Sequence, residues 1–290
     1  MHRGIDPAAM ARLGQRSETL GFGRMWIPEL LGFDALIGSH AVIQVTSTLE
    51  VAPIVSLQAR SDLSTAAGLA TLAATAPGRV LAGVGVTNRA AAAWHDRAWE
   101  PPAVRLERAI RTLRQLWRGE RIDEQRRVRL LAPPVEAVPL YVAALGPKAL
   151  DAASRFADGL LVNMVPPATA ANLAGRFRDG DGNRPVNAII RVAQDLDGGQ
   201  RKSRDEFEAE LQSYVRAPGY SSVLTDIDPG EQVLEWGRDR IYAPSPKAGQ
   251  RLVELFEEQR IDPVILPMVS RTDPDPEATV GHVLAGIVAP

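Results

Sequence analysis

The sequence predicts a parallel α/β protein and favours a (β/α)8 barrel over a doubly wound open sheet. Three observations carry this. Short apolar segments alternate with amphipathic or alanine-rich helical segments along most of the chain. The connections between them are short, which for parallel strands means right-handed crossovers. The chain has 290 residues, and a barrel of this type takes about 250.

Element by element, Pro7–Leu20 reads as a helix, with Asp6 as N-cap, Pro7 in the first turn and Gly21 past its end. Arg24–Ile27 is a short strand, Asp34–Thr46 a helix and Leu49–Ser56 a strand. Pro53 inside that last segment predicts an irregularity, because proline cannot donate to a ladder. Asp62–Ala76 is a helix capped by Asp62 and stopped at Pro77-Gly78. Arg79–Val86 is almost continuously apolar, as strands buried on both faces are. In Ala103–Trp117 the residues Leu106, Ala109, Ile110, Leu113, Leu116 and Trp117 repeat with the 3.6-residue period of a helix. Strands at Pro139–Ala144, Gly159–Met164 and Val186–Ala193 follow, with helices at Pro147–Phe156 and Pro167–Phe177 between them. A more polar region, Gln194–Pro244, carries helical pieces near Arg204–Val215 and Pro229–Arg238. The chain closes with a helix at Pro246–Arg260, a strand at Pro263–Met268 and a helix near Glu277–Val288. This makes seven strands, one short of a complete barrel, and the first element is a helix. The expected organisation is one barrel domain over residues 1–290, lacking its first strand, with a helical insertion at about 195–245.

Composition narrows the function. Hydrophobic residues make up 45% and charged residues 23%, ordinary values for a folded domain. Lys plus Arg is 33 and Asp plus Glu 35, a net charge of −2, without the basic excess of a nucleic-acid binder. Cysteine is absent, which removes disulfides, thiolate metal sites and a cysteine nucleophile. The four histidines, His2, His40, His95 and His282, have no zinc-site spacing. No apolar stretch is long enough to span a membrane, and the first residues lack an apolar signal core. The expected setting is therefore cytoplasmic, with no membrane and no nucleic-acid partner.

Three segments could carry chemistry. In Tyr141–Lys148 a strand ends, Gly146 turns the chain and Pro147 opens a helix. The free amides and positive dipole end of such a helix suit an anion, and Lys148 adds charge, although an ordinary strand–helix turn looks the same. Gly83–Asn88 offers small residues that let a flat ring approach the backbone, or that simply allow close packing. It is not the G-x-G-x-x-G fingerprint. The segment Thr87–Pro102 reads as a loop after a strand's C-terminus, where barrel active sites lie, and carries Trp94, His95, Asp96 and Trp99. Arg105, Arg108, Arg111, Arg114, Arg118 and Arg121 form a stripe expected on the solvated face of a helix.

Four stretches together resemble the luciferase-like monooxygenases, in particular their coenzyme F420-dependent branch: LGFGRMWIPE (Leu20–Glu29), APGRVLAGVGV (Ala76–Val86), YVAALGPKAL (Tyr141–Leu150) and ADGLLVN (Ala157–Asn163). The resemblance implies a TIM barrel that holds a deazaflavin, or alternatively FMN, at the C-terminal ends of its strands. It implies phosphate binding by Ala144, Leu145, Gly146, Pro147 and Lys148. It also implies ring contacts from Pro53, Ile54, Val55 and Ser56, with a non-prolyl cis peptide at Ile54–Val55, and from Gly85, Val86, Thr87 and Asn88. The sequence departs from the family at the acid–histidine pair after the second strand, where Glu29 and Leu30 stand, and at the acid after the fourth strand, where Asn88 stands. Glu29, His95 and Asn163 remain as candidates for substrate or proton handling. The expected activity is hydride transfer between F420 and a small organic substrate by a homodimer. The alternatives are an FMN-dependent monooxygenase and a non-catalytic cofactor-binding barrel.

Overall fold

The computed structural model describes residues 5–29, 33–87, 89–123, 125, 127–179, 182–196, 201–217, 220 and 233–289. The chain gathers into two compact units. One comprises Asp6–Ala144 and Lys148–Gly159, the other Leu145–Pro147 and Leu160–Pro290.

The first unit opens with α1 (Pro7–Thr19), whose N-cap Asp6 accepts the Ala9 amide at 2.8 Å. Then come β1 (Arg24–Pro28), α2 (Ala35–Ile43), β2 (Glu50–Ser56), α3 (Asp62–Thr75), β3 (Ala82–Gly85), α4 (Arg89–Trp94), α5 (Pro102–Trp117), β4 (Leu140–Ala143) and α6 (Pro147–Phe156). The strands pair in parallel in chain order, with Trp26 beside Ala52, Ser56 beside Gly85, and Gly85 beside Ala143. Helix α5 forms where its period predicts: Leu106, Ala109, Ile110, Leu113 and Leu116 are all at most 1% exposed. Burying each of those large side chains contributes about 1.5–3 kcal/mol.

The second unit contains β5 (Gly159–Asn163, entering from the first), α7 (Pro167–Phe177), β6 (Val186–Val192), α8 (Arg201–Val215), α9 (Val233–Gly237), β7 (Tyr242–Ala243), α10 (Pro246–Glu257), β8 (Asp262–Pro267) and α11 (Pro276–Val288). Strand β6 pairs in parallel with β5, β7 and β8. Its alternate residues Val186, Ala188, Ile190 and Val192 are wholly buried, and α10 packs against β6. Its other face carries Asn187, Ile189 and Arg191. Among the described residues β8 pairs only with β6. The Met268 amide donates to Val192, so even-numbered residues of β8 turn their backbone groups toward β6. Pro263, Ile265 and Pro267 turn theirs away.

Several expectations need correction. An eighth strand exists, β7, only two residues long and therefore too short for a period to reveal. The expected loop at Thr87–Pro102 contains a helix, α4. The cap of α3 is Ser61, whose Oγ accepts the Ser64 amide at 3.1 Å, which frees Asp62 for another task. Arg105 does not join the solvated stripe. It is 4% exposed, donates to the Leu57 carbonyl at 2.8 Å and pairs with Asp62 at 2.6 Å. Arg108, Arg111 and Arg118 do face solvent. No cis peptide occurs among the described residues, so Ile54–Val55 is trans. The irregularity at Pro53 is milder than a bulge. The β2–β3 ladder breaks between the lone Val51–Val80 bridge and the Ile54–Gly83 pair without losing register. A missing amide removes one rung and leaves the strand straight.

Before α1 only Ile5 and Asp6 are described, and they form no strand. No described helix is long and apolar enough to cross a membrane, and no group of three or more metal-ligating side chains occurs among the described residues.

Candidate active site

In the first unit the C-terminal ends of β1, β2 and β3 carry most of the expected site residues. Glu29 directly follows β1. Its amide donates to the Ile54 carbonyl at 2.8 Å, which extends the ladder by one residue and fixes where its side chain begins. Both carboxylate oxygens are engaged: Oε2 accepts the Ser56 amide at 3.1 Å, and Oε1 accepts Arg60 Nε at 2.8 Å. Arg60 also pairs with Asp34, whose Oδ1 caps α2 by accepting the Leu36 and Ile37 amides. Burial alone would raise the Asp34 pKa, but the Ile37 amide and Arg60 outweigh it and hold the carboxyl below its ordinary value. Burial likewise opposes the Arg60 charge, and Glu29 and Asp34 outweigh that and raise its pKa.

This ion-pair triad forms one wall of a cleft of about 560 Å³, which Phe33, Ser61, His95 and Arg97 also line. Glu29 and His95, chosen from sequence as separate candidates, therefore share a cavity. They differ in state. His95 is exposed beyond the end of α4. Glu29 has 11% side-chain exposure, and its hydrogen bonds fix it as an acceptor. Sequence reasoning missed Asp34 as a site residue, and missed Arg60 and Arg97. Arg60 reaches partners 26 and 31 positions away, a distance at which no local pattern speaks.

The expected ring contacts divide by face. Pro53 and Val55 are buried, Val55 completely, so the Val55 side chain cannot line an open surface. Ile54, Ser56, Gly85, Val86 and Thr87 are half-exposed, and Asn88 lies outside the described residues. Register sets Ser56, Gly85 and Ala143 side by side at the ends of three adjacent strands. A Cβ added at Gly85 would stand 3.2 Å from that of Ala143. The three form a shelf of small residues with backbone close to its surface. Ala143 is the member the sequence reading left out. Ser56 and Thr87 hydroxyls approach to 3.4 Å beside it.

Between β4 and α6, Ala144 is buried, Leu145 and Gly146 are half-exposed, and Pro147 and Lys148 are exposed. Nothing stands within 4 Å of a Cβ built on Gly146. Among the described residues no side chain accepts from the amides of Leu145, Gly146 or Lys148.

In the second unit Asn163 ends β5. Its Oδ1 accepts Arg191 Nη1 at 3.0 Å, and its Nδ2 donates to the Tyr220 hydroxyl at 3.2 Å. It is thus the centre of a polar network rather than an isolated group.

The model of the family described as luciferase-like monooxygenase matches residues 1–223. The chain belongs to that family. A curated relative, 5,10-methylenetetrahydromethanopterin reductase of Archaeoglobus fulgidus, is 23% identical over 201 residues, covering 65% of this chain and 60% of the relative. The F420-dependent glucose-6-phosphate dehydrogenase of Mycobacterium leprae is 26% identical over 237 residues, covering 65% of this chain and 70% of that protein. Among solved structures, the oxygenating constituent of 3,6-diketocamphane monooxygenase from Pseudomonas putida, in complex with FMN, matches with a TM-score of 0.70 at 16% identity. The match covers 99% of this chain and 95% of that one. At that identity the likeness establishes the fold alone, the TIM-type (β/α)8 class of luciferase-like proteins. The chain covers 60%, 61% and 46% of three of the curated relatives it matches, less than two thirds of each.

Proposed function

We propose that this luciferase-like protein is an oxidoreductase that uses coenzyme F420 and exchanges a hydride with a small organic substrate. The observation that carries the reading is the shelf of Ser56, Gly85 and Ala143 at the C-terminal ends of three parallel strands, where barrel enzymes place their chemistry. Small residues let a flat ring lie against backbone, and the amides at the N-terminus of α6 suit an anionic tail. Residues and group therefore fit.

In this reading Ile54, Ser56, Gly85, Val86 and Thr87 support the ring, and Leu145, Gly146 and Lys148 hold the phosphate. Pro53, Val55 and Ala144 act from behind as packing. A deazaflavin supplies the hydride-accepting and hydride-donating ring; the protein supplies orientation and shielding. Arg60 keeps Glu29 and Asp34 oriented along the cleft wall. His95, exposed and lining the same cleft, is the candidate for proton exchange with substrate.

The FMN-bound relative supports a second reading, a flavin-dependent monooxygenase. Titration of the purified protein with each cofactor, followed by fluorescence, separates the two. F420 should bind at least tenfold more tightly than FMN, and Gly85→Val should weaken it at least tenfold by filling the shelf. Tighter FMN binding would move the assignment to the monooxygenase. Binding of neither would leave a barrel without redox chemistry. We also propose a homodimer, because α2 and α3 leave Ile37 64% and Leu63 39% exposed. Light scattering should return twice the mass of one chain at micromolar concentration, and a single-chain mass would remove this part.

A further inference from the structure

We infer that Arg191 is a recognition site for a substrate carboxylate and that Glu210 is its resident stand-in, displaced when substrate arrives. Arg191 lies near the C-terminal end of β6, on the face opposite the buried apolar residues, and is only 3% exposed. A guanidinium taken so far from water needs compensation.

The compensation has an unusual form. Nη1 donates to Asn163 Oδ1 at 3.0 Å. Nε and Nη2, which together form one edge of the guanidinium fork, both converge on a single oxygen, Oε1 of Glu210, at 3.3 and 3.0 Å. That edge matches the two oxygens of a carboxylate, one to each N–H. Glu210 uses it with one oxygen only. An incoming carboxylate that takes it with two makes a better pair than the residue it replaces.

The surroundings are arranged for such an exchange. The Glu210 side chain keeps 38% exposure, while Arg191 keeps 3%. The anion can therefore swing out from α8 into water, while the cation stays fixed. Asn163 anchors Arg191 from one side, and the Tyr214 ring lies 5.4 Å from the guanidinium carbon. Tyr220 packs edge-on against Tyr214, with ring centroids 5.1 Å apart. Its oxygen accepts from Asn163 Nδ2, and its own proton has no acceptor among the described residues. Burial pushes this hydroxyl up to about 12, so it stays protonated and can donate to a second anion. Arg191 and Tyr220 thus offer charge and a neutral donor from groups that Asn163 links. The edge already seats the carboxylate of Glu210, so a carboxylate is the ligand whose size and charge the surroundings accommodate.

The inference deepens the oxidoreductase reading by naming a substrate class, and it rests on that reading for the word substrate. The test needs no cofactor, so its outcome is independent of the F420 and FMN titration. The probe is acetate, with acetamide and inorganic phosphate as controls; affinities are measured on the whole chain by titration calorimetry, and wherever Arg191 is present its Nε–H resonance in ¹⁵N spectra reports that the ligand sits on the fork. Glu210→Gln removes the internal competitor and should raise acetate affinity at least tenfold. Arg191→Lys added to that variant keeps the charge, loses the fork, and should return affinity to the starting level. Tyr220→Phe in the unmodified protein should weaken acetate several-fold, a measurement independent of whether Glu210→Gln folds. Acetamide should leave the resonance unmoved. Unchanged affinity in Glu210→Gln, a gain that survives Arg191→Lys, no effect of Tyr220→Phe, or tighter binding of phosphate than of acetate would each overturn the assignment.

Discussion

At the scale of single residues, charge in this protein is spent on holding turns and walls in place. Glu18, near the end of α1, accepts the amides of Ser47, Thr48 and Leu49 and the Thr48 hydroxyl through one oxygen. Those donors, the Thr48 amide first, lower its pKa from the ordinary 4.5 to about 2. A carboxylate whose folded value is depressed stabilises the fold above its unfolded value, and the contribution fades as pH falls through the folded one. Glu18→Gln should therefore lower the melting temperature at pH 7. The gap to the unmodified protein should narrow between pH 4.5 and 2, and thermal scans across that range would show it. A constant gap would mean that the glutamate acts by shape alone. The same scale explains what sequence could not disclose. Arg105 belongs by spacing to an exposed stripe, yet it is buried against Asp62 and Leu57 because α5 packs on α3. Period tells which face a residue is on, not which neighbour covers its tip.

At the scale of elements, the boundaries were legible wherever period and caps agreed. Helices α1, α5, α6 and α7 begin and end within a residue of where Pro, Gly and apolar spacing place them. Strand β3 is shorter than its apolar run, because the amide missing at Pro53 interrupts the ladder and leaves Val80 bridged to Val51 in isolation. The contact between Gly159 and Tyr141, both in the first unit, shows how tightly side chain and backbone fit there. A Cβ built on Gly159 would stand 2.2 Å from the Tyr141 ring, a ring that is 4% exposed and edge-on to Trp26 at 5.3 Å. Gly159→Ala should cost about 1–3 kcal/mol by overpacking, as urea denaturation would measure. In a Tyr141→Val background, with the ring gone, the same alanine should cost far less. Equal costs in the two backgrounds would show that the penalty comes from the backbone instead.

At the scale of the whole molecule, the parallel α/β class and seven of the eight strands could be read from alternation alone, and the family follows from four short stretches. The site could be read only in part. Gly85 and Ser56 announce themselves as small residues at strand ends, but their alignment with Ala143 depends on register across three strands, and register is a property of the folded sheet. Strand β8 has a consequence of its own at this scale. Among the described residues no strand pairs with its outward backbone positions, Pro263, Ile265 and Pro267, and that side presents one amide instead of three. A rim poor in donors cannot template a foreign strand, and the two imino acids act as a guard against fibre growth. Replacing both, in Pro263→Thr/Pro267→Thr, would restore the missing donors on an apolar margin. Light scattering should then rise with time and concentration as molecules zip together edge to edge, whereas the unaltered chain stays clear.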